Sequence, residues 1–248
     1  MANNKPLLSL VIPAFNEGAP DRLPQSLKEI VPFVEAQDFA TEVIIVNNNS
    51  TDNTLEIAEA AAVAHSYICV ITEKIQGKGA AVRSGVLRAQ GEYLFICDAD
   101  LSMPIEEVLK FLPPHSTDYD IAIASREAPG ARRIGEPEMR HIMGRVFNWI
   151  VRIVAVHGLQ DTQCGFKCFR QEVARELFAL QTVDGWAFDV ELLFVAQQRG
   201  YRILEIPITW IYKDHSKINP MQDSINMFAE TLKIRLNGWR GVYAEEAP

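Results

Sequence analysis

The stretch FICDADLSMP (residues 95–104) sets two aspartates, Asp98 and Asp100, one residue apart behind an apolar run and ahead of a proline. Residues i and i+2 of an extended chain point to the same side, so this spacing aims both carboxylates at one spot. There each raises the other's proton affinity unless a cation comes between them. Mg2+ or Mn2+ carrying a diphosphate is the natural third party, because Mg2+ commonly takes one or two carboxylates and completes its shell with phosphate oxygens. A plainer role fits the spacing equally well. Asp98 ends a strand, and Asp100 caps a turn or the helix after Pro104.

Four other stretches carry polar chemistry. In NNNSTDNT, Ser50, Thr51 or Asp52 can cap a following helix, while the amides of Asn47 and Asn48 offer donors and acceptors that suit a nucleobase edge. In QGKGAAVRSG, Gly77 and Gly79 flank Lys78 at a helix start; the pattern is neither a P-loop nor a G-x-G-x-x-G fingerprint, since Val82 occupies the last glycine position. It suits a diphosphate or an acidic partner, and a simple glycine turn competes. DTQCGFK (residues 161–167) clusters polar groups around a glycine. GWAFDVELL puts Asp189 near a helix start, where capping is the default role, and Glu191 among apolar neighbours.

These residues need elements to position them. Apolar runs at residues 7–13, 41–47, 66–72, 93–97 and 120–125 read as strands covered on both faces. Helical patterns at 23–36, 52–64, 79–89 and 105–112 separate them, a βαβ rhythm that predicts an α/β fold with a mostly parallel central sheet and helices on both faces. Ligands of such sheets bind beyond the carboxyl ends of the strands, where the polar stretches fall. Further on, residues 187–200 read as an amphipathic helix, YRILEIPITW as one strand, and MQDSINMFAETLKIRLNGW as a closing helix. No repeat or linker is visible, so residues 1–248 are expected to form one domain of two halves, 1–130 and 131–248.

Composition sets limits. Of 248 residues, 48% are hydrophobic and 23% charged, as in soluble globular proteins. A net charge of −8 argues against broad nucleic-acid binding. Cys69, Cys97, Cys164 and Cys168 lack the second ligand pair of a zinc site and read as reduced thiols of a cytoplasmic protein. No secretory leader or membrane span is expected. Residues 139–157 read as a long helix whose narrow polar stripe is His141, Arg145, Asn148 and Arg152. The preferred placement is a core helix whose stripe reaches solvent. The alternative lies peripherally at the cytoplasmic membrane face with Arg145 and Arg152 toward headgroups.

Taken in order, VIPAFNE, NNNS, QGKG, CDADLS, DTQCGFKCF and WAFDVELLFVAQ resemble the family 2 glycosyltransferases over most of the chain, closest to the polyprenyl-phosphate branch of dolichyl-phosphate glucose and mannose synthases. The resemblance implies a GT-A fold, Rossmann-like, with Pro13, Ala14, Asn16, Glu17, Asn47 and Asn48 at the nucleotide. It implies Asp98 beside the sugar nucleotide, Asp100 on a divalent metal, and Lys78 and Arg126 toward the donor. Asp161, Gln163, Lys167, Trp186, Asp189 and Glu191 would form the sugar and acceptor side, and Lys217 the basic position of a closing loop. The chain has NNNS where the family often has DDGS, and it lacks the membrane helices of many relatives.

The activity so implied is inverting transfer of a hexose from a nucleotide-diphosphosugar (UDP-glucose favoured over GDP-mannose) to a polyprenyl phosphate. Its alternatives are transfer to a soluble hydroxyl acceptor with Asp189 or Glu191 as base, and nucleotide-sugar binding without catalysis.

Overall fold

The computed structural model describes residues 5–213 and 220–244. The first half alternates β1 (Leu8–Ala14), α1 (Leu23–Glu35), β2 (Thr41–Asn47), α2 (Thr54–Ala64), β3 (Ile68–Thr72), α3 (Lys78–Arg88) and β4 (Tyr93–Ile96). A 3₁₀ helix (Ile105–Phe111), β5 (Ile121–Ser125), β6 (Arg132–Ile134) and α4 (Glu138–Val154) follow. The chain then runs through β7 (Lys167–Arg170), α5 (Gln171–Leu180), α6 (Phe188–Gln198), β8 (Ile203–Pro207), β9 (Thr209–Ile211) and α7 (Pro220–Trp239).

Seven strands form one sheet in the order β3-β2-β1-β4-β7-β5-β8. All neighbours are parallel except β7, which runs antiparallel between β4 and β5. Side chains alternate between the faces. Val11, Ile44, Val46, Leu94 and Ile96 join α3, α5 and α6 in one core. Leu10, Ile12, Val43, Ile45 and Phe95 join α1, α2 and the 3₁₀ helix in the other. Both faces are covered, which is why the strand sequences are apolar without interruption.

Three elements differ from their sequence reading. YRILEIPITW is two strands: β8 ends the main sheet, while β9 pairs with β6 in a separate two-stranded sheet. Strands of three residues carry too little pattern to be told from loops. Residues 188–196 of α6 are buried on every side, so α6 is a core helix and not an amphipathic one.

The third difference is α4, which is not a core helix. Only Val151 on it is fully buried. Two members of its polar stripe turn inward, while Arg145 is exposed: His141 lies 3.3 Å from Glu127, and Asn148 accepts the N–H and hydroxyl of Thr162 and donates to the Gln160 carbonyl. Its apolar row, Met139, Ile142, Met143, Val146, Trp149 and Ile153, faces outward, with Met139 68% and Trp149 61% exposed. The neighbouring α7 exposes Ile225, Phe228, Leu232, Leu236 and Trp239 in the same way. Among the described residues no helix is long and apolar enough to cross a membrane.

Candidate active site

The carboxyl ends of β1, β2 and β4 and the start of α3 converge on one crevice. β4 ends at Ile96, and Asp98 to Leu101 form a turn closed by the Leu101 N–H on the Asp98 carbonyl. The two aspartates therefore meet through a turn, not through the alternation of an extended strand. Leu101 holds a φ of +47°, a left-handed conformation costly for a branched side chain, and buries that side chain. Asp100 Oδ1 accepts the N–H and hydroxyl of Ser102. The turn-capping role is thus real, and it occupies one oxygen. The second carries no hydrogen bond among the described residues.

Lys78, at the first turn of α3, places its ammonium 2.6 Å from Asp98 Oδ1. Burial works against its charge, and Asp98, Asp189 and Asp100 outweigh burial, holding the ammonium above its ordinary value. Burial and the charge of Asp98 push the Asp100 carboxyl up, against the Ser102 bonds and Lys78. The backbone makes room for this pair at two glycines. Gly77 has a φ of +146° and lies against the Asp184 carbonyl, and a Cβ on Gly165 would sit 2.4 Å from Asp98 Oδ2. Gly165 is a site residue that sequence reading missed, although it stands in plain view inside DTQCGFK.

Across the crevice, Lys167 is fully buried and donates to the Cys164 carbonyl. Its ammonium lies 3.0 Å from Asp189 Oδ1, close enough for an ion pair but not aligned as a hydrogen bond. Burial raises the Asp189 carboxyl despite Lys167 and Lys78. Asp189 caps nothing; it belongs to the charge cluster. Trp186 presents its ring 5.3 Å from the Lys78 ammonium. Glu230 of α7, also missed, accepts the Ala187 N–H and so ties the Trp186 loop to the last helix.

Arg126, just after β5, grips Asp161 with two parallel bonds of 2.7 and 3.0 Å, and Asp161 also accepts the Arg126 N–H. Burial would raise the Asp161 carboxyl, but Arg126 holds it down at about 2. The Gln163 N–H donates to the same carboxylate, and the Trp210 ring lies 5.5 Å from the guanidinium. The Ile211 N–H donates to the Ser102 carbonyl, so β9 is fastened to the Asp100 turn. Lys217 lies outside the described residues.

Several expected nucleotide contacts have structural duties. The Asn48 amide donates to the carbonyls of Glu73 and Ile75, and its oxygen accepts from Gly77 and Gln76. It shapes the loop that delivers Lys78. Asn47 is buried and accepts the Ser50 N–H. Of the expected caps of α2, Asp52 accepts the Thr54 N–H at the helix start, and Ser50 and Asp52 also serve a neighbouring loop: Ser50, Thr54 and Asp52 accept the N–H groups of Asn16, Glu17 and Gly18. Asn16, at φ +51°, accepts from Thr51, and Glu17 pairs with Arg22. Pro13 and Ala14 close β1 beside this loop. Glu191 is turned away from the crevice; its carboxylate accepts from Thr182, Val183 and Tyr243 and locks the segment before α6.

The free oxygens of Asp98 and Asp100 fit a divalent cation. No group of three or more metal-ligating side chains occurs among the described residues, so such an ion would complete its shell with phosphate oxygens.

A sequence profile described as glycosyl transferase family 2 matches residues 9–178. A dolichyl-phosphate beta-glucosyltransferase of Trichomonas vaginalis is 35% identical over 240 residues, 92% of this chain and 70% of that protein. One from Drosophila melanogaster is 36% identical over 252 residues, 94% of this chain and 77% of its own length. Among solved structures, glucosyl-3-phosphoglycerate synthase from Mycobacterium tuberculosis, crystallised with Mn2+, UDP-glucose and phosphoglyceric acid, superposes with a TM-score of 0.66. The match spans 93% of this chain and 79% of that one, at 17% identity.

Proposed function

The chain belongs to glycosyl transferase family 2 and has the GT-A fold, and from that premise we propose that it moves glucose from UDP-glucose to a polyprenyl phosphate of the dolichyl class. The observation that carries this reading is the juxtaposition of Lys78, Asp98 and Asp100 at the strand ends, in a chain more than a third identical to dolichyl-phosphate glucosyltransferases.

The residues divide the work by charge. Lys78 offers positive charge to the diphosphate, held in place by Asp98 and by the Asn48-shaped loop. Asp100, with Asp98 beside it, would hold Mg2+ or Mn2+, which as Lewis acid would stabilise the departing diphosphate. The loops after β1 and β2 fix the nucleotide. Asp161 orients Arg126, and Lys167 orients Asp189, on the side facing the sugar and acceptor. A phosphate acceptor is already anionic near neutral pH, so attack opposite the leaving group needs positioning more than a base and gives a β-linked product.

A second reading keeps the donor and changes the acceptor to a soluble hydroxyl. Asp189 favours it, because a carboxyl raised by burial is suited to general-base work.

Nucleotide release from UDP-glucose and GDP-mannose, with Mg2+, Mn2+ or a chelator, separates these readings. Metal-dependent turnover of UDP-glucose with polyprenyl phosphate is expected. No turnover with any polyprenyl phosphate, alongside transfer to a hydroxyl acceptor, overturns the lipid reading in favour of the second.

A further inference from the structure

Lys78 is gripped from two sides. Asn48 holds the loop that precedes it. On the other side, the backbone of residues 183–184 lies across the start of α3. The Ala80 N–H, a donor that the first turn of a helix leaves unpaired, donates to the Asp184 carbonyl at 3.2 Å. A Cβ on Gly77 would stand 2.1 Å from that carbonyl oxygen, and one on Gly79 would stand 2.6 Å from the Val183 oxygen. Two residues on from Asp184, the Trp186 ring lies 5.3 Å from the Lys78 ammonium. Residues 183–186 therefore set where Lys78 sits.

Two carboxylates from later in the chain hold that segment. Glu191 accepts the N–H groups of Thr182 and Val183 at its near end. The far end is Ala187, the N-cap of α6, which has no side-chain cap of its own. In a capping box, a glutamate three positions into the helix reaches back to the N–H of the cap residue. Here that position is Val190, which has no acceptor. Glu230, 43 residues later on α7, takes its place: Oε2 accepts the Ala187 N–H at 3.2 Å. Gly185 leaves the room, since a Cβ there would stand 2.4 Å from Glu230 Oε1. Burial raises the Glu230 carboxyl against the Ala187 bond and Lys233, and the charges of Glu191 and Asp184 add to the rise. The setting calls for an acceptor oxygen more than for a negative charge.

We propose that Glu230 is a positioning residue for the transfer: by holding the Ala187 N–H it fixes the Trp186 segment against α3, and through that segment the Lys78 ammonium. Glu230 acts through the backbone it holds and not on the reacting atoms. Its effect on the placement of Lys78 stands on geometry alone, and its effect on glucose transfer rests on the function proposed above.

Nuclear magnetic resonance of protein isotope-labelled at the lysine ε-carbons tests the placement with no ligand present. The Lys78 signal is the one missing from Lys78→Gln, and Trp186→Leu marks its position without the ring current of the indole. Glu230→Ala should move the signal toward that position, and Glu230→Gln, which keeps an acceptor oxygen, should leave it near the wild type. Gly185→Ala, which pushes the carboxylate away, should act like Glu230→Ala. Glucose transfer should fall about tenfold in Glu230→Ala and Gly185→Ala, in kcat and donor KM with acceptor KM unchanged, and recover in Glu230→Gln. In a Lys78→Gln background Glu230→Ala should cost no more than about twofold, because both act through one ammonium. Thermal unfolding certifies that each variant is folded at the assay temperature. An unmoved Lys78 signal in Glu230→Ala and Gly185→Ala, a full effect in the Lys78→Gln background, or equal losses in Glu230→Gln and Glu230→Ala overturns the proposal. If the wild type transfers nothing to polyprenyl phosphate, the function proposed above fails, and the Lys78 signal still decides the role of Glu230.

Discussion

The Lys78 ammonium rests 2.6 Å from the carboxylate of Asp98, so one member of the aspartate pair is already neutralised by the protein. A metal approaching the crevice meets one uncompensated carboxylate, Asp100, instead of two. Lys78→Gln removes the competitor. Mn2+ binding measured without donor should tighten severalfold, as expected for one charge at this range in a partly screened site. Glucose transfer should fall by roughly a hundredfold, because the charge that faces the diphosphate is gone. Mn2+ titration by paramagnetic resonance measures the first and nucleotide release the second. Unchanged or weaker Mn2+ binding contradicts the assignment.

Gly165 is held to its size by Asp98. A methyl group there would stand 2.4 Å from Oδ2 and drive the carboxylate off Lys78. Gly165→Ala should cost about 1–3 kcal/mol of stability, typical of overpacking, and lower transfer at least tenfold in a protein that still folds. Thermal unfolding and steady-state kinetics report the two effects separately.

Asn48→Ala tests whether this residue shapes a loop or reads a base. Losing its four bonds to residues 73–77 should cost about 4 kcal/mol, at roughly 1 kcal/mol per net hydrogen bond. Activity with UDP-glucose and with GDP-mannose should fall by the same factor, since Lys78 is displaced whichever base is bound. A change in the ratio of the two donors would restore Asn48 to the nucleobase.

The Arg126–Asp161 pair predicts a pH dependence. Asp161 is depressed from an ordinary 3.8 to about 2, so its contribution is complete above the ordinary value and is lost as pH falls toward 2. Asp161→Asn should destabilise the protein by about 3–5 kcal/mol near neutrality, because Arg126 is left buried without its partner. The gap between wild type and variant should stay flat above pH 5 and shrink by roughly 2 kcal/mol on approaching pH 2. Denaturant unfolding across that range measures it.

What could be read from the sequence follows the range of the forces involved. The buried strands declare themselves because both faces are covered, leaving no polar alternation to confuse the pattern. The aspartate pair declares itself by residue type, although the turn at Leu101 brings the carboxylates together and not strand geometry. Asn48 and Glu191 look like site residues because they are polar beside apolar strands and helices. The bonds of Asn48 to residues 25 to 29 positions away, and that of Glu191 to Tyr243, 52 away, are invisible in local spacing. α4 is misplaced for the same reason. Periodicity gives it two faces, but only Glu127, Gln160 and Thr162, which lie off the helix, decide which face is inside.

The antiparallel strand β7 ties the order of synthesis to the completion of the site. β5 has only two neighbours in the sheet, β7 and β8, and both are made after it. As the chain leaves the ribosome, β1 to β4 can pair with one another, while β5 waits with both edges open until residues 167–207 follow. A fragment ending near residue 130 therefore leaves β5 unpaired and lacks Gly165, Lys167 and Asp189. Complementing that fragment with the remainder requires β7 to pair with the open edges of both β4 and β5, not docking one half against the other.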